Sequence, residues 1–241
     1  MSQFKPMGDR GILIEFEQII SADTSARIRH ITTSIENSKN PAVIEVIPAY
    51  ASVCVVYNPC IANYDALKEF LSSFLIKSSD NDITNDTVFE IPVLYSHETG
   101  PDLDFVSNHC GLSVEEIISI HTSAEYLIYM LGFAPGFPYL GGMDERIAAP
   151  RLKVPRKKIT PGSVGIAGSQ TGMYPIESPG GWQLIGQTPV KLYDPERSPA
   201  VYYNAGDYIK YRAIDKPEFK HIQELVKSNT YEVKSWGKSR Y

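Results

Sequence analysis

Cysteine is scarce in this chain of 241 residues, and the short motifs that mark common catalytic sites are missing. The three cysteines, Cys54, Cys60 and Cys110, are odd in number and lack CxxC spacing, which argues against a disulfide framework and a zinc site. There is no GxxxxGK[ST] phosphate loop, no GxGxxG after a strand and no HExxH. We therefore expect no metal site, and a nucleotide would need an unfamiliar kind of site.

Long apolar runs and an excess of positive charge are also missing. No run approaches the roughly 20 apolar residues of a membrane helix, and the first residues show no apolar segment of a secretory signal. Lys and Arg number 23 against 28 Asp and Glu, a net charge of −5, which argues against general nucleic-acid binding. We expect a cytoplasmic protein without a membrane or nucleic-acid partner.

Residues 1–86 predict a small α/β domain, in which short apolar runs rich in β-branched residues alternate with helical patterns. Ser21 or Asp23 is expected to cap the first helix and Asn63 the second. The order βαββαβ is typical of a ferredoxin-like fold, although the last strand could belong to the next domain. The polar run 78–86 is then a linker or loop. The expected strands are 11–16, 42–47, 52–57 and 87–94, and the expected helices are 22–37 and 63–77.

Residues 87–230 predict a β-rich domain that includes two short helices over 101–121. Gly111 is expected to end the first helix, and Ser113 with Glu116 forms a capping box for the second. Eleven of the 17 glycines lie between residues 132 and 186, among short apolar segments, which predicts a barrel or sandwich. The expected strands are 125–131, 164–167, 183–185, 190–193 and 208–211, followed by a helix over 218–227 and a mobile tail over 231–241.

The run GFAPGFPYLGG at 132–142 places aromatic side chains on a loop of glycine and proline. Glycine lets the backbone approach a ligand or another strand, and proline stiffens the loop. Phe133, Phe137 and Tyr139 are therefore either a core plug beneath a tight loop or an apolar wall for a ligand.

A second segment combines positive charge with glycine. The dense cationic patch of Arg151, Arg156, Lys157 and Lys158 suits a carboxylate or a phosphate, or is a solvated turn. Three polar residues between glycines follow, and they bind a small polar ligand or satisfy loop backbone. They are Ser169, Gln170 and Thr171.

Three more residues complete the candidates. Tyr174 and Trp182 lie in the run YPIESPGGW, and an indole with one donor is common in pockets and interfaces. His121 ends a predicted helix, where an imidazolium interacts favourably with the helix dipole.

Together, GFAPGFPYLGG and PRKKITPGSVGIAGSQTGMYPIESPGGWQLIGQTP at 155–189 resemble the family of the 5-oxoprolinase B subunit. That family contains the sporulation-kinase inhibitor KipI and is also labelled allophanate hydrolase subunit 1. The resemblance covers most of the chain and includes Gly100-Pro-Asp-Leu103 and Gly206-Asp207. Thr160 is a small departure, because alanine is expected there.

The resemblance implies an α+β protein with a small N-terminal α/β domain and a cyclophilin-like β-barrel. It implies one component of a complex that opens 5-oxoproline to glutamate with ATP. Because the sequence has no nucleotide loop and no nucleophile constellation, we expect the chain to be inactive alone. The other components of that complex would be a homologous C subunit, related to this chain, together with an A subunit. The alternative that the resemblance implies is an inhibitor of a sensor histidine kinase.

Residue chemistry within the matching motifs suggests a substrate site but fixes no catalytic residue. Donors for a carboxylate and a phosphate would be Arg156, Lys157, Ser169, Gln170 and Thr171. The pocket wall would be Phe137, Tyr139, Tyr174 and Trp182, with His121 as a further candidate. We expect Gln170, Thr171 and Trp182 to line one cleft of the barrel, with Arg156 at its rim.

Overall fold

A computed structural model describes residues 3–17, 21–76 and 86–238. The described residues up to 76 form one compact unit, and those from 86 onward form a second. The polar run expected as a linker lies, apart from Asp86, outside the described residues. In the part of the chain that the structure describes, no helix is long and apolar enough to span a membrane.

The first unit is a four-stranded antiparallel sheet with two helices. Its strands are β1 (Gln3–Pro6), β2 (Gly11–Glu15), β3 (Val43–Pro48) and β4 (Ser52–Tyr57), and its helices are α1 (Ala22–Asn37) and α2 (Tyr64–Ile76). The strand order is β1-β2-β4-β3.

Alternation along the strands and helical spacing build the core of the first unit. Ile12 and Ile14 of β2 and Val53 and Val55 of β4 are buried together with Ile28, Ile31 and Ile35 of α1 and Leu67 and Leu71 of α2. Both predicted caps are confirmed. The Ser21 side chain accepts from the Thr24 amide at 3.2 Å, and Asn63 Oδ1 accepts from the Ala66 amide at 2.9 Å.

The ferredoxin-like arrangement expected for this unit is not the one observed. The strand at 87–94 belongs to the sheet of the second unit, which is the alternative that the sequence left open. The flank of β2 is occupied instead by β1, which the sequence analysis missed because QFKP is short, mostly polar and ends in proline. The two strands are joined through Gly8, whose φ of 67° favours glycine.

The second unit is built on an eight-stranded sheet that nearly closes into a barrel. The sheet order is β10-β9-β12-β5-β13-β6-β7, with β14 also paired to β5, and β11 and β8 form a separate ribbon. Its strands are β5 (Thr87–Leu94), β6 (Glu125–Leu131), β7 (Pro138–Gly141), β8 (Arg156–Ile159), β9 (Ser163–Ala167), β10 (Gln170–Met173), β11 (Ser178–Gly180), β12 (Gln183–Gln187), β13 (Tyr208–Ile214) and β14 (Ser235–Gly237).

The two end strands of this sheet approach each other. A Cβ placed on Gly172 of β10 would lie 3.4 Å from the carbonyl oxygen of Pro138 in β7. The expected barrel-like sheet is thus present, and the cyclophilin-like assignment stays a prediction.

Three helices accompany the barrel: α3 (Leu103–Cys110), α4 (Val114–Ser123) and α5 (Lys216–Lys227), with a 3-10 turn at Glu145–Ile147. The predicted pair α3 and α4 is confirmed. Gly111 ends α3 at a φ of 67°, and Ser113 and Glu116 form the capping box of α4. Leu103, Val106 and Ile117 point into the barrel core.

Two expectations for the second unit were wrong. Over its described residues, up to 238, the tail is packed on the second unit, because β14 pairs antiparallel with β5 and Tyr231 packs against the core. Residues 190–193 form no strand, only a bridge between Tyr193 and Val201. The Arg197 guanidinium donates to four carbonyls of this loop. These hydrogen bonds satisfy backbone groups that a neighbouring strand would otherwise pair. The four acceptors are Lys191, Leu192, Pro199 and Ala200.

Candidate functional site

Four of the predicted wall residues meet in one aromatic cluster, defined here as Phe137, Tyr139, Tyr174 and Trp182. The ring of Phe137 lies 5.2 Å from that of Tyr139, 5.5 Å from that of Tyr174 and 5.7 Å from that of Trp182, in edge-to-face geometry. Phe137 and Tyr174 are each 2 % exposed and Trp182 is 6 % exposed. The cluster is therefore a rigid packed unit, separate from the barrel core.

Glycines opposite one another on two strands make room for the indole of Trp182. Gly165 of β9 and Gly172 of β10 are paired in register. A Cβ would lie 3.2 Å from the Trp182 Cβ at Gly165, and 3.1 Å from the Trp182 ring at Gly172. Glycine at these two positions therefore allows the indole of Trp182 to pack directly against the backbone of β9 and β10.

Phe133, in the loop before β7, lies at the outer side of the cluster, with its ring edge to face with that of Phe137 at 5.5 Å. Phe133 is 63 % exposed and has a φ of 63°, a conformation that is costly for a bulky residue. The loop is held by the amide of Phe137, which donates to the Ala134 carbonyl at 3.0 Å, and by the Tyr203 hydroxyl, which donates to the Gly136 carbonyl at 2.9 Å. Phe137 is therefore the buried plug and Phe133 is exposed, and the role of this run as a wall for a ligand stays a prediction.

Arg156 does not present an open guanidinium at the rim of a cleft. Its Nη2 donates to both carboxylate oxygens of Asp102, at 2.8 and 2.9 Å, and its Nη1 donates to the Trp182 carbonyl at 3.3 Å. Asp102 Oδ2 also accepts from the Leu184 amide at 2.6 Å. The pair joins the start of α3 to β8 and β12, so the arginine fork is already occupied.

The other cations of this segment are exposed. Lys157 is solvent-facing, and Lys158 pairs with Glu177. Surface lysines of this kind supply a positive field and little fixed geometry.

Thr171 faces the barrel interior and meets His121 there. Its Oγ1 lies 2.7 Å from Nε2 of His121, and Nδ1 of that ring lies 2.7 Å from the Tyr95 hydroxyl. The Thr171 hydroxyl donates to the Gly165 carbonyl at 3.2 Å, which leaves its oxygen to accept from Nε2–H. Nδ1 of the neutral ring then accepts from Tyr95.

His121 is a buried neutral imidazole. Burial lowers its pKa to about 3, and the ring stacks on Tyr211 at 4.5 Å. A hydroxyl beside an imidazole is the composition of an activated nucleophile, but with Nε2 protonated the ring cannot accept a proton from Thr171. Thr171 and His121 are each 0 % exposed, so a substrate does not reach this pair in the described structure.

The structure does not bring Gln170, Thr171 and Trp182 to one cleft. Successive residues of a strand point to opposite faces, so Thr171 points into the barrel and Gln170 to the face that carries Trp182. Ser169 is exposed at the tip of the hairpin between β9 and β10, next to Gly168 with a φ of 58°. The substrate-binding roles of these residues stay predictions.

Asp102 and Arg151 are residues of this region that local sequence patterns did not single out. Asp102 was quoted only within a family motif, and its 54-residue separation from Arg156 hides the pairing. Arg151 was grouped with the cationic patch, yet its Cζ lies 6.0 Å from the centroid of the Trp182 ring. Among the described residues, no group of three or more His, Cys, Asp or Glu could hold a metal ion.

Comparison with known proteins gives a consistent result. The family model for the carboxyltransferase domain, subdomain C and D, matches residues 2–203. A protein of Bacillus subtilis, named as the B subunit of 5-oxoprolinase, is 41 % identical over 92 % of this chain and 97 % of that protein.

Two solved structures are similar to this chain over most of its length. A conserved uncharacterised protein of Pyrococcus horikoshii, PH0987, is 44 % identical over 90 % of this chain and 100 % of its own, with a TM-score of 0.54. The urea carboxylase of Kluyveromyces lactis matches 98 % of this chain with a TM-score of 0.82, and its 20 % identity shows a shared fold. This chain spans 24 % of that urea carboxylase chain and 40 % of the solved chain TTHA0988.

Proposed function

This chain belongs to the family of the carboxyltransferase domain, subdomain C and D, together with the 5-oxoprolinase B subunit, and we propose that it is the B subunit of a 5-oxoprolinase. The complex would open 5-oxoproline to glutamate with ATP in the cytoplasm. The observation that carries this proposal is the 41 % identity over 97 % of a relative with that name.

The proposed reaction is the hydrolysis of a lactam. An unactivated amide is a poor electrophile, and transfer of the ATP γ-phosphoryl group to its oxygen makes the carbonyl carbon reactive. Water then adds to that carbon, the ring C–N bond breaks, and the nitrogen leaves as the amine of glutamate. The product still carries the phosphoryl group as an acyl phosphate, and a second water hydrolyses it to the carboxylate of glutamate and inorganic phosphate. Each ring opening therefore consumes one ATP and two waters.

Within this scheme the chain supplies binding surface. The buried aromatic cluster is a rigid support, and the exposed Arg151 lies at its edge, with Cζ 6.0 Å from the centroid of the Trp182 ring. Its buried hydroxyl–imidazole pair, Thr171 and His121, is closed to substrate. We therefore assign the chemical steps, and the binding of ATP, to the complex that this chain forms with a homologous C subunit together with an A subunit.

The proposed function is tested by leaving this chain out of the assembled complex. The chain is purified and combined with the A and C subunits of its complex, and glutamate release from 5-oxoproline is measured with and without ATP. We expect release from the complete mixture only, and none from the chain alone. Robust turnover by the isolated chain would overturn its role as one part of a complex, and turnover that is unaffected when this chain is left out would overturn the proposed function.

No observation favours the alternative of a histidine-kinase inhibitor, since the Bacillus subtilis relative is named for 5-oxoprolinase.

A further inference from the structure

The segment 151–158 carries five cations and no acidic residue. Two of them are engaged, Arg156 by Asp102 and Lys158 by Glu177. In the described part of the chain, no carboxylate is paired with Arg151, which is exposed. Arg151 is therefore the arginine of this segment whose fork is open to an external anion.

Trp182 positions Arg151. The guanidinium carbon lies 6.0 Å from the centroid of the indole, where the ring face attracts a cation. The indole is itself fixed, since Gly165 and Gly172 leave just enough space for it and Phe137 meets it edge to face. A guanidinium attracted to a fixed ring is partly ordered, so it loses less freedom when it binds a carboxylate.

The positive field at this place reaches the hydroxyl of Tyr174. Burial raises the pKa of Tyr174 to about 12, and a backbone hydrogen bond with Trp182 and the charges of Arg151 and Arg156 act against that rise. The hydroxyl stays protonated at neutral pH and adds no negative charge. The carboxylates of Asp102 and Glu177 are each paired with a cation of this segment, which offsets their charge.

We propose that Arg151, held on Trp182 at the edge of the aromatic cluster, is the residue that binds the carboxylate of the substrate. This inference rests on the proposed function, and it assigns to Arg151 the role that the sequence analysis gave to Arg156. The ligand is a small monocarboxylate with an apolar ring. Its carboxylate takes two N–H donors of the Arg151 fork.

The first test uses the assembled complex. Arg151→Met keeps the length of the side chain and removes its charge, so KM for 5-oxoproline is expected to rise about tenfold or more with kcat nearly unchanged. Arg151→Lys keeps the charge but loses the fork, so an intermediate rise is expected. An unchanged KM in Arg151→Met would overturn the inference while the wild-type activity keeps the proposed function intact.

Lys153→Met is the matched control, because it removes one exposed positive charge from the same loop. Its KM is expected to stay within about twofold of wild type, since a lysine without fixed geometry adds only a screened field. An equal rise in both variants would show a general field effect and would count against a specific carboxylate site at Arg151.

A binding measurement keeps the inference independent of turnover. The chain has two tryptophans, so Trp236→Phe leaves Trp182 as the fluorescent reporter. We expect 5-oxoproline to change this fluorescence at lower concentration than 2-pyrrolidinone, which lacks the carboxylate, and Arg151→Met to abolish that preference. If the wild-type complex releases no glutamate, the proposed function fails. The preference for 5-oxoproline over 2-pyrrolidinone still tests whether Arg151 binds a carboxylate. Equal responses to both compounds in the chain and in the complex would overturn it.

Discussion

Asp102 and Arg156, 54 residues apart, are joined by two contacts from one guanidinium nitrogen, at 2.8 and 2.9 Å. The Asp102 side chain is 12 % exposed and that of Arg156 28 %. The same carboxylate accepts from the Leu184 amide, so it connects α3, β8 and β12. In the described structure this ion pair stabilises the packing of α3 against β8 and β12 in the second unit.

Removing the charge of Asp102 is expected to destabilise the protein. Asp102→Asn leaves a partly buried guanidinium without its counter-charge, and we expect the free energy of unfolding to fall by about 2 kcal/mol. Urea unfolding followed by circular dichroism measures this change. Asp104→Asn removes an exposed charge from the same helix and is expected to cost less than about 0.5 kcal/mol. Equal losses in both variants would contradict a specific role for the pair.

His121 predicts a pH dependence of stability. Its pKa in the folded state is lowered to about 3 by burial, whereas an unfolded histidine titrates near 6.5, so the unfolded chain binds more protons between these values. Stability is therefore lost as the pH falls below about 6.5. We expect wild type to lose about 2 kcal/mol more than His121→Gln between about pH 7 and 5, measured by urea unfolding. Parallel pH curves for the two proteins would show that His121 is not buried as a neutral ring.

Phe133 lies at a backbone conformation that favours glycine, with a φ of 63°. Phe133→Gly and Phe133→Ala both remove the ring, and only the glycine variant relieves the conformational cost. We expect the glycine variant to be more stable than the alanine variant by about 1 kcal/mol. The same two substitutions at Val154, which is 81 % exposed and outside the positive-φ region, serve as the control. There alanine is expected to be the more stable, and the same order at both sites would refute the expectation.

Gly172 and Trp182 are expected to be energetically coupled. Gly172→Ala places a methyl group 3.1 Å from the indole and is expected to cost about 1–3 kcal/mol. In a Trp182→Phe background the smaller ring leaves room, so the same substitution should cost less. Gly237→Ala, where a Cβ meets no atom within 4 Å, is the control. Additive effects of the two substitutions in a double-mutant cycle would contradict the packing described here.

Local patterns predicted most helices correctly because their signals lie within a few residues of one another. The capping box of Ser113 and Glu116 and the Asn63 cap are contacts between residues three positions apart. The strands β7, β8, β10 and β11 were missed because each has three or four residues and includes Gly, Pro, Lys or Arg. Their pairing partners, and not their own composition, hold them extended.

The candidate site shows the same division. The motifs correctly indicated that Phe137, Tyr139, Tyr174 and Trp182 belong to one region, since aromatic residues among glycines must pack somewhere. They did not show that Thr171 turns away from Gln170 toward His121. That difference follows from strand alternation, which is visible only once β10 is recognised as a strand.

The sequence by itself determined the composition of the two units, the family, and the segments that supply aromatic rings and cations. Only the tertiary structure decided which cation is open. Arg151 and Arg156 are five residues apart and chemically identical, and nothing local distinguishes them. The fold places Asp102, which is distant in the chain, against Arg156. Arg151 stays exposed, with its Cζ 6.0 Å from the centroid of the Trp182 ring. A charge is neutralised by whichever partner the fold brings within about 4 Å, and that distance is set by long-range packing rather than by neighbours in the chain.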